Sequence, residues 1–351
     1  MRHLTTRLLC AKLAWVPFAL FALTGVTMSQ AQTSAGKPEK TDITVAVGGS
    51  AADIDKLGYG LALTKGYFND EGLNVTNVDM FAGSRALQAI SGGTVDVVEG
   101  AYEGTLRMQT QGLTLTCLVT FARYPGVVMI STKGRDIKSM ADLKGKTIGV
   151  TAPGSLTQTF AVALMHSAGL AKGDAGFIAV GVGPSAQAAV QTGGQIDVLV
   201  NVDPTITTLL HAGEGKILVD GRTEEGSKQA FGGAYPNGCL LASADFIKKY
   251  PNTSQALANA IVRSMKFLQN SSTDQIVEAV PRTFYQDEGI YREALEAGLG
   301  VIRWDGLLTP EIGQTVRKAI SLLDPKFKDA EIDISKTYTN EFTKRALAKY
   351  K

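Results

Sequence analysis

The chain has 351 residues, 44% of them hydrophobic and 19% charged, which is too long for one ordinary core and apolar enough to build two, so disorder is excluded. Its 35 basic and 33 acidic residues leave a formal charge of +2, and no long Lys/Arg run is interleaved with aromatics, so no nucleic-acid partner is expected. The 3 cysteines and 3 histidines form no cluster with metal-ligand spacing, so neither a metal nor another cofactor is expected.

Residues 1–31 read as an export signal. Arg2, Arg7 and Lys12 precede the apolar run "LAWVPFALFALTGVTM", and Ser29 and Ala31 occupy the small positions read by a signal peptidase, which predicts cleavage after Ala31. Cys10 lacks a lipobox and precedes the apolar run, so a lipid anchor is not expected. Removing three basic residues from 35 leaves 32 against 33 acidic ones, and the positive balance disappears. Residues 32–41 read as a flexible linker. Export permits a Cys117–Cys239 disulfide, but each lies in an apolar run where a thiol packs as a small hydrophobe, so either state is open.

The elements then follow in order. "ITVAVGG" reads as a buried strand, and Ser50 to Asp55 offer caps for a helix carrying Leu57, Leu61 and Ala62 on one face. Gly66 is placed for a left-handed cap. "EGLNVTNVDMF" is extended, Ser84 is expected to cap the helix "RALQAI", and "TVDVVEG" is the next strand. "KTIGVTAPGS", "LTQTFAVALMHSAGL" and "DAGFIAVGVG" continue as strand, helix and strand. Ser185 starts "PSAQAAVQ", and "QIDVLVNVDP" closes the set. The stretch "SGGTVDVVEG" (91–100) is thus echoed by "TGGQIDVLVN" (192–201), one helix stop, turn and strand built twice. Two α/β lobes follow one another, and a helix-rich third packs upon them.

The stretches "LTKGYFNDEGLNV", "GSRALQAISGGTVDVVEGAYEG", "IKSMADLKGKTIGVTAPGS" and "AAVQTGGQIDVLVNVDP" resemble the periplasmic solute-binding proteins of ABC importers for nitrate, sulfonate, taurine and thiamine precursors. The resemblance implies a type II periplasmic binding fold: two doubly wound α/β lobes joined by crossovers at 125–132 and 235–243. Lobe 1 would be discontinuous (42–130 and 238–351), with lobe 2 at 131–237. It further implies a monomeric receptor that hands a small-molecule solute to a permease and its ATPase.

In such a fold, strand ends and helix starts meet on one edge, where unpaired N–H groups attract a guest. The candidate contacts are Gly49, Ser50, Gly83, Ser84, Ala101 and Tyr102 in lobe 1, Gly154, Ser155, Thr157, Asn201 and Asp203 in lobe 2, and Tyr235 and Asn237 where the chain recrosses. Each has a plainer role. Ser84 and Ser155 suit helix caps, the latter in a capping box with Gln158, and a Tyr beside a strand end suits a core. Arg85 and Arg123 suit solvent or pairing. Glu99, Glu103 and Asp203 near the edge disfavour a bare inorganic anion. If Asp203 faces the cleft, the guest carries an amine or another donor, and a zwitterion or an aminopyrimidine fits better than nitrate. The leading expectation is therefore a periplasmic binding protein for a sulfonate, a taurine-like solute or a related organic anion or zwitterion. The alternatives are a pyrimidine or aromatic-acid receptor and a receptor for a sensor system. Catalysis is not expected, because His166 and His211 stand alone and no Gly-x-Ser-x-Gly elbow is present.

Overall fold

The computed structural model describes residues 36–192, 194–302, 305–323 and 325–350; the expected leader, its cleavage point and most of the linker lie outside them. Two five-stranded sheets form the frame. The strands are β1 (Asp42–Val47), β2 (Asn74–Asp79), β3 (Val97–Gly100), β4 (Leu115–Thr120), β5 (Val127–Thr132), β6 (Thr147–Val150), β7 (Gly176–Ala179), β8 (Val198–Val202), β9 (Gly215–Asp220) and β10 (Cys239–Ser243). The first sheet has the order β2-β1-β3-β10-β4 and the second β7-β6-β8-β5-β9.

The two orders have the same grammar. In each, three strands run parallel, and the fourth position is taken by an antiparallel strand that arrives by crossover: β10 between β3 and β4, β5 between β8 and β9. Parallel strands need helices on the sheet faces, which is why each strand run in the sequence is followed by a helix-period run.

A glycine with positive φ precedes each crossover strand: Gly126 (φ 67) before β5 and Gly238 (φ 63) before β10. A Cβ on Gly126 would stand 2.8 Å from Asp55 Cβ, and one on Gly238 2.7 Å from the Phe121 ring. Both positions therefore reject a side chain on conformation and on space. All of β5 pairs within the second sheet, so the expected lobe boundary at 130/131 falls inside a strand. The chain changes sheets at 121–126 instead, because the apolar run has no breaker after Gly126.

The helical tail, expected to return to lobe 1, packs on both sheets. The helix Pro251–Asn270 lays Leu257, Ile261 and Met265 against Val45, Leu118 and Leu240 of the first sheet. The helix Pro310–Leu323, however, places Val316 and Ile320 in a core that also holds Val98 and Leu241 of the first sheet with Met129, Phe160 and Val200 of the second lobe. That core runs unbroken between the lobes, and residues 36–351 form one compact unit. Cys117 and Cys239 are buried free thiols; β10 sets Leu241 rather than Cys239 opposite Cys117.

Candidate functional site

The carboxyl ends of the strands in both sheets converge on one pocket of about 50 Å³. Gly49, Gly83, Ala101, Gly154, Ser155, Thr157 and Asn237 line it, all of them expected from the sequence. Residues outside that set line it as well: Asp53, Asp55, Lys56, Thr151 and Glu103, the last expected as a charge near the edge, supply its polar atoms, and Leu87, Val98, Leu156, Val182 and Val202 its apolar wall.

Lobe 2 presents hydroxyls. Thr157 Oγ1 accepts from Thr151 N at 3.0 Å and pairs with Thr151 Oγ1 at 2.9 Å. Ser155 precedes the helix Leu156–Ser167 but makes no side-chain cap. Its Oγ reaches across the cleft instead, accepting from Ser84 N at 3.2 Å and pairing with Ser84 Oγ at 3.1 Å. The expected capping box is therefore not formed; Gln158 Oε1 accepts from Gly154 N at 2.9 Å. Ser84 is likewise not the cap of its helix. That helix spans Gly83–Ser91 with Ala82 at the cap, so the hydroxyl is free to join the other lobe. Further bonds cross the same gap. Ile54 N donates to Asp203 O at 3.0 Å, Arg107 Nη2 to Thr159 Oγ1 at 2.9 Å, and Thr159 Oγ1 to Glu103 Oε1 at 3.3 Å.

Lobe 1 presents charge. Lys56 Nζ lies 3.1 Å from Asp55 Oδ2 and 3.4 Å from Glu99 Oε1, and donates to Asn237 Oδ1 at 2.9 Å. Neither Glu99 carboxyl oxygen accepts a hydrogen bond among the described residues. Burial pushes the Glu99 carboxyl up to about 7 against the pull of Lys56. Burial also raises Asp53 well above the usual carboxylate range, with Asp55 adding repulsion, and raises Asp55 despite Lys56. For Lys56, burial opposes the charge, but Asp55 and Glu99 more than offset it and hold its pKa above the ordinary value. Asn237 ties this cluster to both crossovers: its Nδ2 donates to Asp55 Oδ2 at 2.6 Å and to Pro125 O at 2.9 Å.

The remaining expected residues are placed elsewhere. Ser50 lies in a neighbouring cavity, its hydroxyl donating to Asp79 Oδ2 at 2.8 Å. Tyr102 is buried with its hydroxyl against Thr337. Tyr235 stacks on Phe231 at 3.8 Å and donates to Glu103. Asn201 is buried, and its Nδ2 donates to Gly181 O at 2.9 Å. Asp203 does not offer a carboxylate to a guest. It accepts from Thr207 N (2.9 Å) and Thr207 Oγ1 (2.8 Å), and Arg222 Nη1 donates to it at 2.7 Å. The acidic character of the cleft therefore comes from Asp53, Asp55 and Glu103 of the other lobe. The sequence marked Glu103 as a charge near the edge but did not name the "DIDK" turn of 53–56 as a site; its two carboxylates and one lysine just after the first strand end were the available signal.

Paired sheets with exchanged fourth strands, closed over a pocket that both lobes line, define the fold of the periplasmic binding proteins. The family model described as NMT1/THI5 like matches residues 54–274, and the chain belongs to that family. A solved protein of Bordetella bronchiseptica RB50 is 40% identical, with a TM-score of 0.85 over 90% of this chain and 99% of that one. The alkanesulfonate-binding protein SsuA from Xanthomonas axonopodis pv. citri, bound to MOPS, shares the fold at 16% identity, with a TM-score of 0.69 over 86% of this chain and 99% of that one. A stretch of 89 residues, 25% of this chain, is 33% identical to the 4-amino-5-hydroxymethyl-2-methylpyrimidine phosphate synthase of Schizosaccharomyces pombe; it spans 26% of that enzyme.

Proposed function

We propose that the protein is an exported, monomeric receptor of the periplasm that closes on a small organic solute and delivers it to an ABC permease and its ATPase. The observation carrying this reading is the direct hydroxyl pair between Ser84 of one lobe and Ser155 of the other, above a pocket that both lobes line. Contacts made from both sides favour the closed form, with Gly126 and Gly238 at the two crossovers as the pivots.

The lining also bears on the solute. Asp53, Asp55 and Glu103 face the pocket; Asp55 and Glu99 hold Lys56, and Glu103 holds Arg107 at 2.9 Å. A bare sulfonate or nitrate would meet acids that outnumber the cations beside them, whereas a taurine-like zwitterion or an aminopyrimidine brings donors to them. Among sulfonates, taurine-like solutes, aromatic acids and aminopyrimidines, the donor-bearing ones fit this cleft best.

A thermal-shift screen of the mature protein against sulfonates, taurine, aromatic acids and aminopyrimidines tests this. A ligand at a thousandfold over its dissociation constant adds about 4 kcal/mol, so a hit raises Tm by several degrees, and the radius of gyration falls on binding. Ser155→Ala is expected to weaken such a hit by about fivefold with the fold intact, as the loss of a net hydrogen bond of about 1 kcal/mol implies. A panel without shifts, or product formation from a candidate solute, overturns the reading.

A further inference from the structure

Beside the central pocket lies a second cavity, of about 320 Å³, bounded by lobe 1 at Ser50–Asp53 and Phe81, by lobe 2 at Val182–Gln187 and Pro204–Thr208, and by the tail at Thr283–Tyr291. Asp53 and Val182 line both cavities, so the two adjoin. We propose that this side chamber is a second ligand compartment, one that takes the flat aryl part of a solute whose ammonium or amidinium group reaches Asp53. This inference rests on the receptor reading above and assigns to the guest a body which the central pocket does not accommodate.

Size is the first argument. A dry cavity of roughly 150 Å³ holds benzene; the central pocket at about 50 Å³ is far smaller and the side chamber at about 320 Å³ about twice as large. Of these two cavities, the chamber is the one with room for a bicyclic ring system.

Its walls are the second argument. Phe81, Phe284, Tyr285 and Tyr291 line it, with Tyr285 and Tyr291 stacked at 4.9 Å. Phe81 keeps an aromatic side chain 47% exposed at the mouth. It does so at φ 58, the one positive φ of a non-glycine residue among the described residues, held there by a bond from its N–H to Gly49 O at 3.0 Å. A left-handed aromatic residue is a costly conformation, of the kind found where a side chain must be aimed.

Unmet polar groups are the third argument. Among the described residues the Tyr291 hydroxyl is buried without a partner, and Asp53, 4% exposed, takes a hydrogen bond from Ser50 N at 2.8 Å and makes no ion pair with any of them. Burial and the neighbouring Asp55 raise this carboxyl against the pull of Lys56, and a cationic guest adds counter-charge.

The test uses 1-naphthylmethylamine, flat, bicyclic and cationic, with n-butylamine as its non-aromatic counterpart, both titrated calorimetrically into the mature protein. Saturable naphthyl binding is expected, tighter than that of butylamine and weakened about tenfold by Phe81→Ala or Tyr285→Ala, the size of an aromatic pair's contribution. Phe81 is exposed, so Phe81→Ala leaves the fold intact by circular dichroism. No saturable naphthyl binding up to the limit of solubility, or binding indifferent to both substitutions, overturns the chamber. The two readings fail separately. A screening hit that depends on Ser155 and ignores Phe81 keeps the receptor and removes the chamber. Naphthyl binding that depends on Phe81, with no contraction in scattering, keeps the chamber and removes the closing receptor.

Discussion

The echoed stretches of the two lobes are alike at one end and unlike at the other. Asp96 accepts from Thr44 N at 3.0 Å and Asp197 from Thr147 N at 2.9 Å, while their own N–H groups donate to Thr44 O (3.0 Å) and Thr147 O (2.9 Å). Each also meets a cation, Lys40 for Asp96 and Arg135 for Asp197. The repeated aspartate is thus a clip that fastens the incoming strand to its parallel neighbour. Three residues further on the copies part. Lobe 1 has Glu99 and lobe 2 Val200, both fully buried. The scaffold was repeated, but a buried acid at this strand position is found in one lobe only.

Substitutions that impose one lobe's character on the other sharpen this contrast. The largest effect is expected for Lys56→Met, which leaves buried carboxylates without their cation and costs about 3–5 kcal/mol in guanidinium unfolding. Adding Glu99→Val, the residue type of lobe 2, should recover part of that loss; a double variant no more stable than the single one contradicts the assigned pairing.

Next comes pH. Folded Glu99 keeps its proton to about 7, against the ordinary carboxyl value of 4.5. Between these values the folded chain holds more protons than the unfolded one, so this group's contribution to stability falls as pH rises from about 4.5 to about 7 and then levels off. Asp53 and Asp55 are shifted in the same sense, and Lys56 stays charged throughout. Denaturation midpoints of Glu99→Gln across this window should lose a slope of at most about 1.4 kcal/mol per pH unit, the most that one proton supplies. An unchanged profile removes Glu99 as a titrating group.

The smallest effect tests the likeness. Asp96→Asn and Asp197→Asn should each cost about 1–2 kcal/mol, as for hydrogen bonds to a charged acceptor. Strongly unequal losses in urea unfolding would show that the clips are not equivalent.

Much of the fold was legible because its signals are local. Strand runs, helix stops at Gly-Gly and the echoed aspartate all rest on short-range period and turn chemistry. The site was legible in part. Gly49, Gly83, Ala101, Gly154, Ser155, Thr157 and Asn237 were accessible because strand ends and crossovers fall on one edge. The serines illustrate the limit: their helix-start positions suggested caps, yet Ser84 and Ser155 bond to each other across 71 residues of chain. Asp203 illustrates the reverse, since Arg222 and Thr207 occupy it and no local pattern shows a partner 19 residues away.

What the chain determined by itself is therefore the repeated α/β grammar and the edge on which it ends, because hydrogen bonding and side-chain period act between near neighbours. The tertiary structure alone decided which carboxylates face the pocket, that Lys56 is shared between Asp55 and Glu99, and that Phe81 stands at the mouth of an aromatic chamber. Those outcomes depend on how burial, charge and space are divided among segments far apart in sequence, and only the packing of one lobe on the other makes that division.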